Sequence, residues 1–107
     1  MKFRLIILAV TLLLSACATL SLTSGGEKVR VLEPGEIDSC RELGRTNTSV
    51  TYIMLGVPRP IETITKELQV VARNSADRMG GDTIVPLTVI EEGQQTFVVY
   101  KCVNPEG

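Results

Sequence analysis

Cys17 has the most reactive setting in the chain, because Leu14-Ser15-Ala16 stands directly in front of it at the end of the apolar run 5–14, itself preceded by Lys2 and Arg4. A basic start is held on the cytoplasmic side during export. An apolar stretch this short suits a removable export signal better than a permanent bilayer span. Small Ser15 and Ala16 leave room for modifying and cleaving enzymes, and the Cys17 thiol is the nucleophile that receives a diacylglyceryl group. The pattern predicts a signal peptide over residues 1–16 and a bacterial lipoprotein beginning at Cys17, with diacylglycerol and an N-acyl chain as its covalent groups. An ordinary secretory signal, cut after Ala16 or Ala18, is the alternative.

The other candidate groups offer little catalysis. The chain has three cysteines and no histidine. With Cys17 lipidated, Cys40 and Cys102 remain, and an oxidising periplasm permits a disulfide between them. The competing uses are poorer: two thiolates without histidine do not complete a zinc site, and no Cys-x-x-Cys redox motif is present. No metal or further cofactor is expected. Glu91 and Glu92 read as a solvated loop tip before they read as an acid pair. Gly80-Gly81-Asp82 follows a helical pattern instead of leading into a helix N-terminus, so a turn accounts for it better than a phosphate cradle. Tyr52 and Arg59 are the interaction candidates, with Tyr100 a third that reads equally as core, since tyrosine and arginine often anchor interfaces.

Charge narrows the partners. Without Lys2 and Arg4, nine Lys and Arg face twelve Asp and Glu, a mildly acidic balance. It argues against nucleic acid and against electrostatic binding to anionic headgroups. Membrane attachment is then the work of the lipid, where each buried methylene contributes about 0.8 kcal/mol.

The elements that must position these groups fit one small domain, residues 27–107, after a short tether at 17–26. That tether is small and polar, and as a coil it would reach on the order of 20 Å. Alternatively, Leu20 and Leu22 alternate with polar residues because the segment is an edge strand. Val29 and Val31 alternate with charges and predict a first strand ended by Pro34-Gly35. A turn near Asp38 leads into a strand through Cys40; Thr46-Asn47-Thr48 reads as loop, and residues 49–57 as strand. Ile61, Ile64, Leu68, Val71, Ala72, Ser75, Ala76 and Met79 share one helical face, and Gly80-Gly81 stops the helix. Residues 83–90 and 96–102 are the firmest strand pair, a C-terminal hairpin, with Pro86 demanding an edge or a bulge. The fold class expected is α+β: a small, mostly antiparallel sheet, one amphipathic helix on one face, and one disulfide.

A wider pattern runs through these elements. Gly26-Glu27-Lys28-Val29-Arg30-Val31, Cys40 with Leu43-Gly44, Ala72-Arg73-Asn74 with Ala76, Gly80-Gly81-Asp82-Thr83-Ile84-Val85-Pro86, and Gln95-Thr96-Phe97 to Tyr100-Lys101-Cys102 together resemble the small YjeI-like lipoprotein family of unknown function. The helix-then-hairpin order and paired cysteines are more distantly similar to the outer-membrane stress-sensor lipoprotein of the Rcs phosphorelay. The long proline-rich, basic linker of that sensor is not found here, and likeness of architecture does not carry function. The resemblance implies a Gram-negative envelope, where Ala18 after the lipidated cysteine implies outer-membrane sorting. The expectation is a non-enzymatic, lipid-anchored envelope protein facing the periplasm, an interaction or stress-accessory module. The alternative is a module for a small ligand or peptidoglycan, favoured by a groove beside the Pro58–Pro60 turn.

Overall fold

The structure, a computed structural model, describes residues 20–106; the signal segment and Cys17 lie outside them. The helical pattern is helix α1 (Ile61–Arg78), entered from Pro60. Ile64, Leu68, Ala72 and Ala76 form its buried line at steps of four. Small Ala72 and Ala76 let the helix settle close to the sheet. Ile61 and Met79, at the ends of the predicted stripe, are 55% and 37% exposed, because the ends of α1 overhang what covers its middle. The C-terminus closes as a Schellman motif, with the Gly81 amide donating to Ala76 and the Gly80 amide to Asp77. Gly80 takes the left-handed conformation, φ +82. Gly81 is required for a different reason, since a Cβ there would lie 2.4 Å from a Val99 methyl.

Beneath α1 lies a four-stranded sheet built from β1 (Arg30–Val31), β2 (Arg41–Ser49), β5 (Thr83–Pro86) and β6 (Gln94–Lys101), in the order β1-β5-β6-β2. Ile84, Phe97 and Val99 project from it into the same core as Val29 and the helix line. The sheet is mixed. β2 and β5 flank β6 antiparallel, as expected, but β1 pairs parallel with β5. The long excursion between β1 and β5, which includes α1, is what allows the chain to re-enter the sheet in the same direction.

Three strand assignments differ from the sequence reading. Thr46, Asn47 and Thr48 belong to β2, although their composition is that of a loop. Each has a distant partner: the Thr46 hydroxyl donates to Ser75 (2.9 Å), Thr48 donates to the Gln95 carbonyl (2.6 Å), and Asn47 accepts from the Thr96 hydroxyl (2.7 Å). The predicted strand over 49–57 is replaced by a separate hairpin, β3 (Ile53–Met54) and β4 (Val57–Pro58). β5 likewise stops at Pro86, short of Ile90. β1 reaches only Thr83 and Ile84, so Pro86 is open on that side and its missing N–H leaves no ladder bond unmade.

Cys40 and Cys102 are disulfide-bonded, with Cα atoms 4.2 Å apart, just under the usual range of about 4.4–6.8 Å. The bridge lies one step beyond the Arg41–Lys101 pair, so it locks the end of the β2–β6 ladder. It joins neighbouring strands and does not cross the layers.

Candidate functional site

The tether reading places residues 20–26 free of the domain, and there the structure differs. The Thr23 amide and hydroxyl both donate to Asn74 Oδ1 (2.9 and 3.2 Å), while Asn74 Nδ2 donates to the Ser21 carbonyl (2.9 Å). One residue earlier on α1, Arg73 donates from Nε to the Val29 carbonyl (2.9 Å) and from Nη2 to that of Glu27 (3.0 Å). Gly25 and Gly26 are contact residues: a Cβ on Gly25 would fall 2.1 Å from Asp77 Oδ2, and one on Gly26 2.2 Å from Asn74 Oδ1. The segment is a strap, neither a free coil nor an edge strand. Residue spacing shows only that Arg73 and Asp77 are four apart on the helix, as an exposed pair would be, and does not reveal this clamp. The Ala72-Arg73-Asn74 triplet was its only local trace.

Leu20, at the start of the strap, borders an open groove of about 790 Å³. Its walls come from the end of β2, the β3–β4 hairpin, the first half of α1 and the turn before β6. Tyr52 and Arg59, two of the interaction candidates, both line it, beside the Pro58–Pro60 turn. They differ in availability. Tyr52 is 37% exposed. Arg59 is committed internally: it donates from Nη1 and Nη2 to the two Glu67 carboxylate oxygens (2.8 and 2.7 Å) and from Nη1 to the Thr51 carbonyl. This fork ties the loop before α1 to the helix. The hydrogen bonds that it donates to Glu67, opposed by partial loss of water and aided by the charge of Glu67, hold the Arg59 guanidinium above its ordinary value. Glu67 is held below the usual carboxylate range by the same bond, so it stays ionised near neutrality and is a poor proton donor.

Glu91 and Glu92 do form a loop tip. Glu91 and Gln94 exchange backbone bonds (3.0 and 2.9 Å) around Glu92 and Gly93, both at positive φ (+49 and +72). That is the geometry of a two-residue primed turn. Gly93 is also a tight approach, because a Cβ would lie 2.3 Å from the Val50 carbonyl oxygen. Glu92 lines the groove. The β3–β4 hairpin repeats the turn with Leu55 at φ +52 and Gly56 at φ +75. A left-handed, non-glycine residue costs about 1–2 kcal/mol, and Leu55 spends it while 99% exposed.

Away from the groove, Asp82 secures the disulfide end. Its Oδ1 accepts from the Cys102 amide (2.8 Å) and the Thr83 hydroxyl (3.0 Å), and its Oδ2 from the Val103 amide (2.9 Å). Partial burial pushes the carboxyl up, but donation from Cys102, Val103 and Thr83, with the charge of Arg30, together hold it below its ordinary value. Gly80-Gly81-Asp82 is therefore a helix stop followed by a backbone-capping carboxylate. Among the described residues, no group of three or more His, Cys, Asp or Glu is placed to hold a metal ion. No helix among them is long and apolar enough to cross a membrane.

An α+β domain closed by one disulfide, with a strap over its helix, is the class that these features define. Residues 20–102 match the family described as a domain of unknown function, DUF4156, and the chain belongs to that family. No curated protein and no solved structure matches it. The matched span begins at Leu20, so it takes in the strap and ends on the disulfide.

Proposed function

We propose that this protein is a lipid-anchored, non-enzymatic component of the Gram-negative outer membrane, facing the periplasm and offering its groove to another envelope protein. Its YjeI-like features belong to the same proposal. The observation that carries it is the strap. Leu20 is three steps along the chain from Cys17, at most about 11 Å. Since Leu20 borders the groove, an acylated Cys17 keeps that groove next to the membrane surface. The charged side chains lining the groove include a mutually neutralised pair, Arg59 and Glu67, which suits a binding wall better than proton transfer.

A second reading, a small ligand or peptidoglycan fragment in the groove, draws on its volume, which falls in the range of about 300–1,000 Å³ usual for ligand sites. One experiment separates the two. A photo-crosslinker placed at Tyr52 in the full chain, activated in intact envelopes, is expected to yield a discrete protein adduct. A glycan-mass or small-molecule adduct would favour the second reading. Turnover of an envelope substrate by the purified protein, abolished by one polar substitution that leaves the fold intact, would overturn both.

A further inference from the structure

The β3–β4 hairpin displays apolar side chains that the core does not use. Ile53, Met54, Leu55 and Val57 are 46%, 56%, 99% and 64% exposed, and no residue from 50 to 58 is charged. Leu55 is the most informative of them. It occupies a turn position at positive φ where Asn, Asp or Gly would fit with less strain and more solubility. A branched apolar side chain there, wholly in water, serves neither folding nor solubility, which points to a contact made in use.

The origin of the chain indicates what that contact is. Ile53 and Met54 line the same groove as Leu20, and the strap fixes the chain to α1 from Ser21 onward. The inference rests on the proposed acylation of Cys17, which would hold a bilayer within about 11 Å of Leu20. The apex of the hairpin is also too small to be a protein interface by itself. Two strands of two residues make a small apex, far below the roughly 800 Å² per partner of a stable complex. A fluid acyl boundary accepts such a wedge. Headgroup charge is not the attraction, because the nearby Arg59 is paired with Glu67 and Glu92 adds negative charge.

We propose that the apex formed by Met54, Leu55 and Val57 inserts into the interface of the membrane that carries the Cys17 lipid. With the acyl chains it makes a two-point attachment, which orients the groove relative to the bilayer.

The chain has no tryptophan, so Leu55→Trp introduces a single indole at the apex. Val103→Trp serves as the control: Val103 is 60% exposed and lies beyond Lys101, the other end of β6, a strand that spans roughly 24 Å from Gln94 to Lys101 by its rise. Each lipidated full-length variant is reconstituted into phosphatidylcholine vesicles with plain or brominated acyl chains. Circular dichroism confirms the fold, and mass analysis confirms the acyl groups. Leu55→Trp is expected to show blue-shifted emission quenched at least about twofold by bromine, equally at low and high salt. Val103→Trp should emit as a water-exposed indole without quenching.

Unquenched, water-like emission from Leu55→Trp on a chain proven to be acylated would overturn the insertion and leave the anchor standing. A blue shift without bromine quenching would mean contact with a second copy, and shielding seen only in native envelopes would mean a protein partner; either overturns it. A mature chain without an acyl group would instead overturn the anchor, and the insertion with it.

Discussion

Asp82 and the Cys40–Cys102 pair act on the same few atoms at the end of the β2–β6 ladder. One carboxylate receives two backbone amides just where the disulfide enters. Its folded pKa lies below the unfolded one, near 3.9, so the folded state binds fewer protons across that interval. Its stabilisation is present in full above about pH 4 and fades as pH falls through the lower folded value. Asp82→Asn should cost roughly 1–2 kcal/mol near neutrality, measured by urea unfolding. The gap between variant and wild type should narrow as the solution is taken below pH 4. A gap that stayed constant with pH would mean that the carboxylate charge is not what the amides need. Cys40→Ala with Cys102→Ala removes a crosslink spanning 62 residues of sequence, about 4 kcal/mol in the chain-entropy model. The double variant should lose roughly 2–5 kcal/mol, read by thermal unfolding under oxidising conditions.

At the scale of elements, the strap and the hairpin make opposite predictions. Gly26→Ala drives a methyl into Asn74 Oδ1, an atom already used by Thr23. Hydrogen exchange should then accelerate at Thr23, Gly26 and Glu27, while β6 amides stay protected; uniform acceleration would show that the strap is part of the global folding unit. Leu55→Asn relieves the left-handed strain with the residue that the turn prefers. It should raise stability by about 0.5–1 kcal/mol while removing the most exposed apolar side chain of the apex. A stabilising change at a position occupied by leucine is the pattern of a residue placed for contact instead of folding.

For the molecule as a whole, the anchor governs everything proposed about location. Cys17→Ser should shift the protein from the membrane pellet to the soluble periplasmic fraction. Mass analysis of the wild-type mature chain should find Cys17 at its N-terminus with acyl groups attached; an acyl-free N-terminus elsewhere would remove the localisation argument. The acidic balance predicts that membrane retention of the acylated chain is insensitive to salt, since a chain with more Asp and Glu than Lys and Arg gains little from anionic headgroups.

The residues themselves determined what depends on local spacing. A helix follows from apolar side chains at steps of three and four between Pro60 and Gly80, and its Schellman stop from two adjacent glycines. The α+β class and the Cys40–Cys102 pairing were legible as well, the first from element order and the second from counting thiols. Tyr52 and Arg59 were singled out by residue type alone, and they do line one groove. What only the tertiary structure decided depends on partners distant in sequence. Thr46 and Thr48 read as loop until Ser75 and Gln95 satisfy their hydroxyls. The parallel β1–β5 pairing is set by where the chain returns after α1. Gly25-Gly26 has the composition of a flexible linker, yet its lack of side chains is what lets the backbone lie against Asn74 and Asp77. Arg59 has the composition of an interface anchor, yet Glu67 takes its guanidinium. In each case the sequence specifies the polar group or the vacancy, and the fold specifies which atom across the chain fills it.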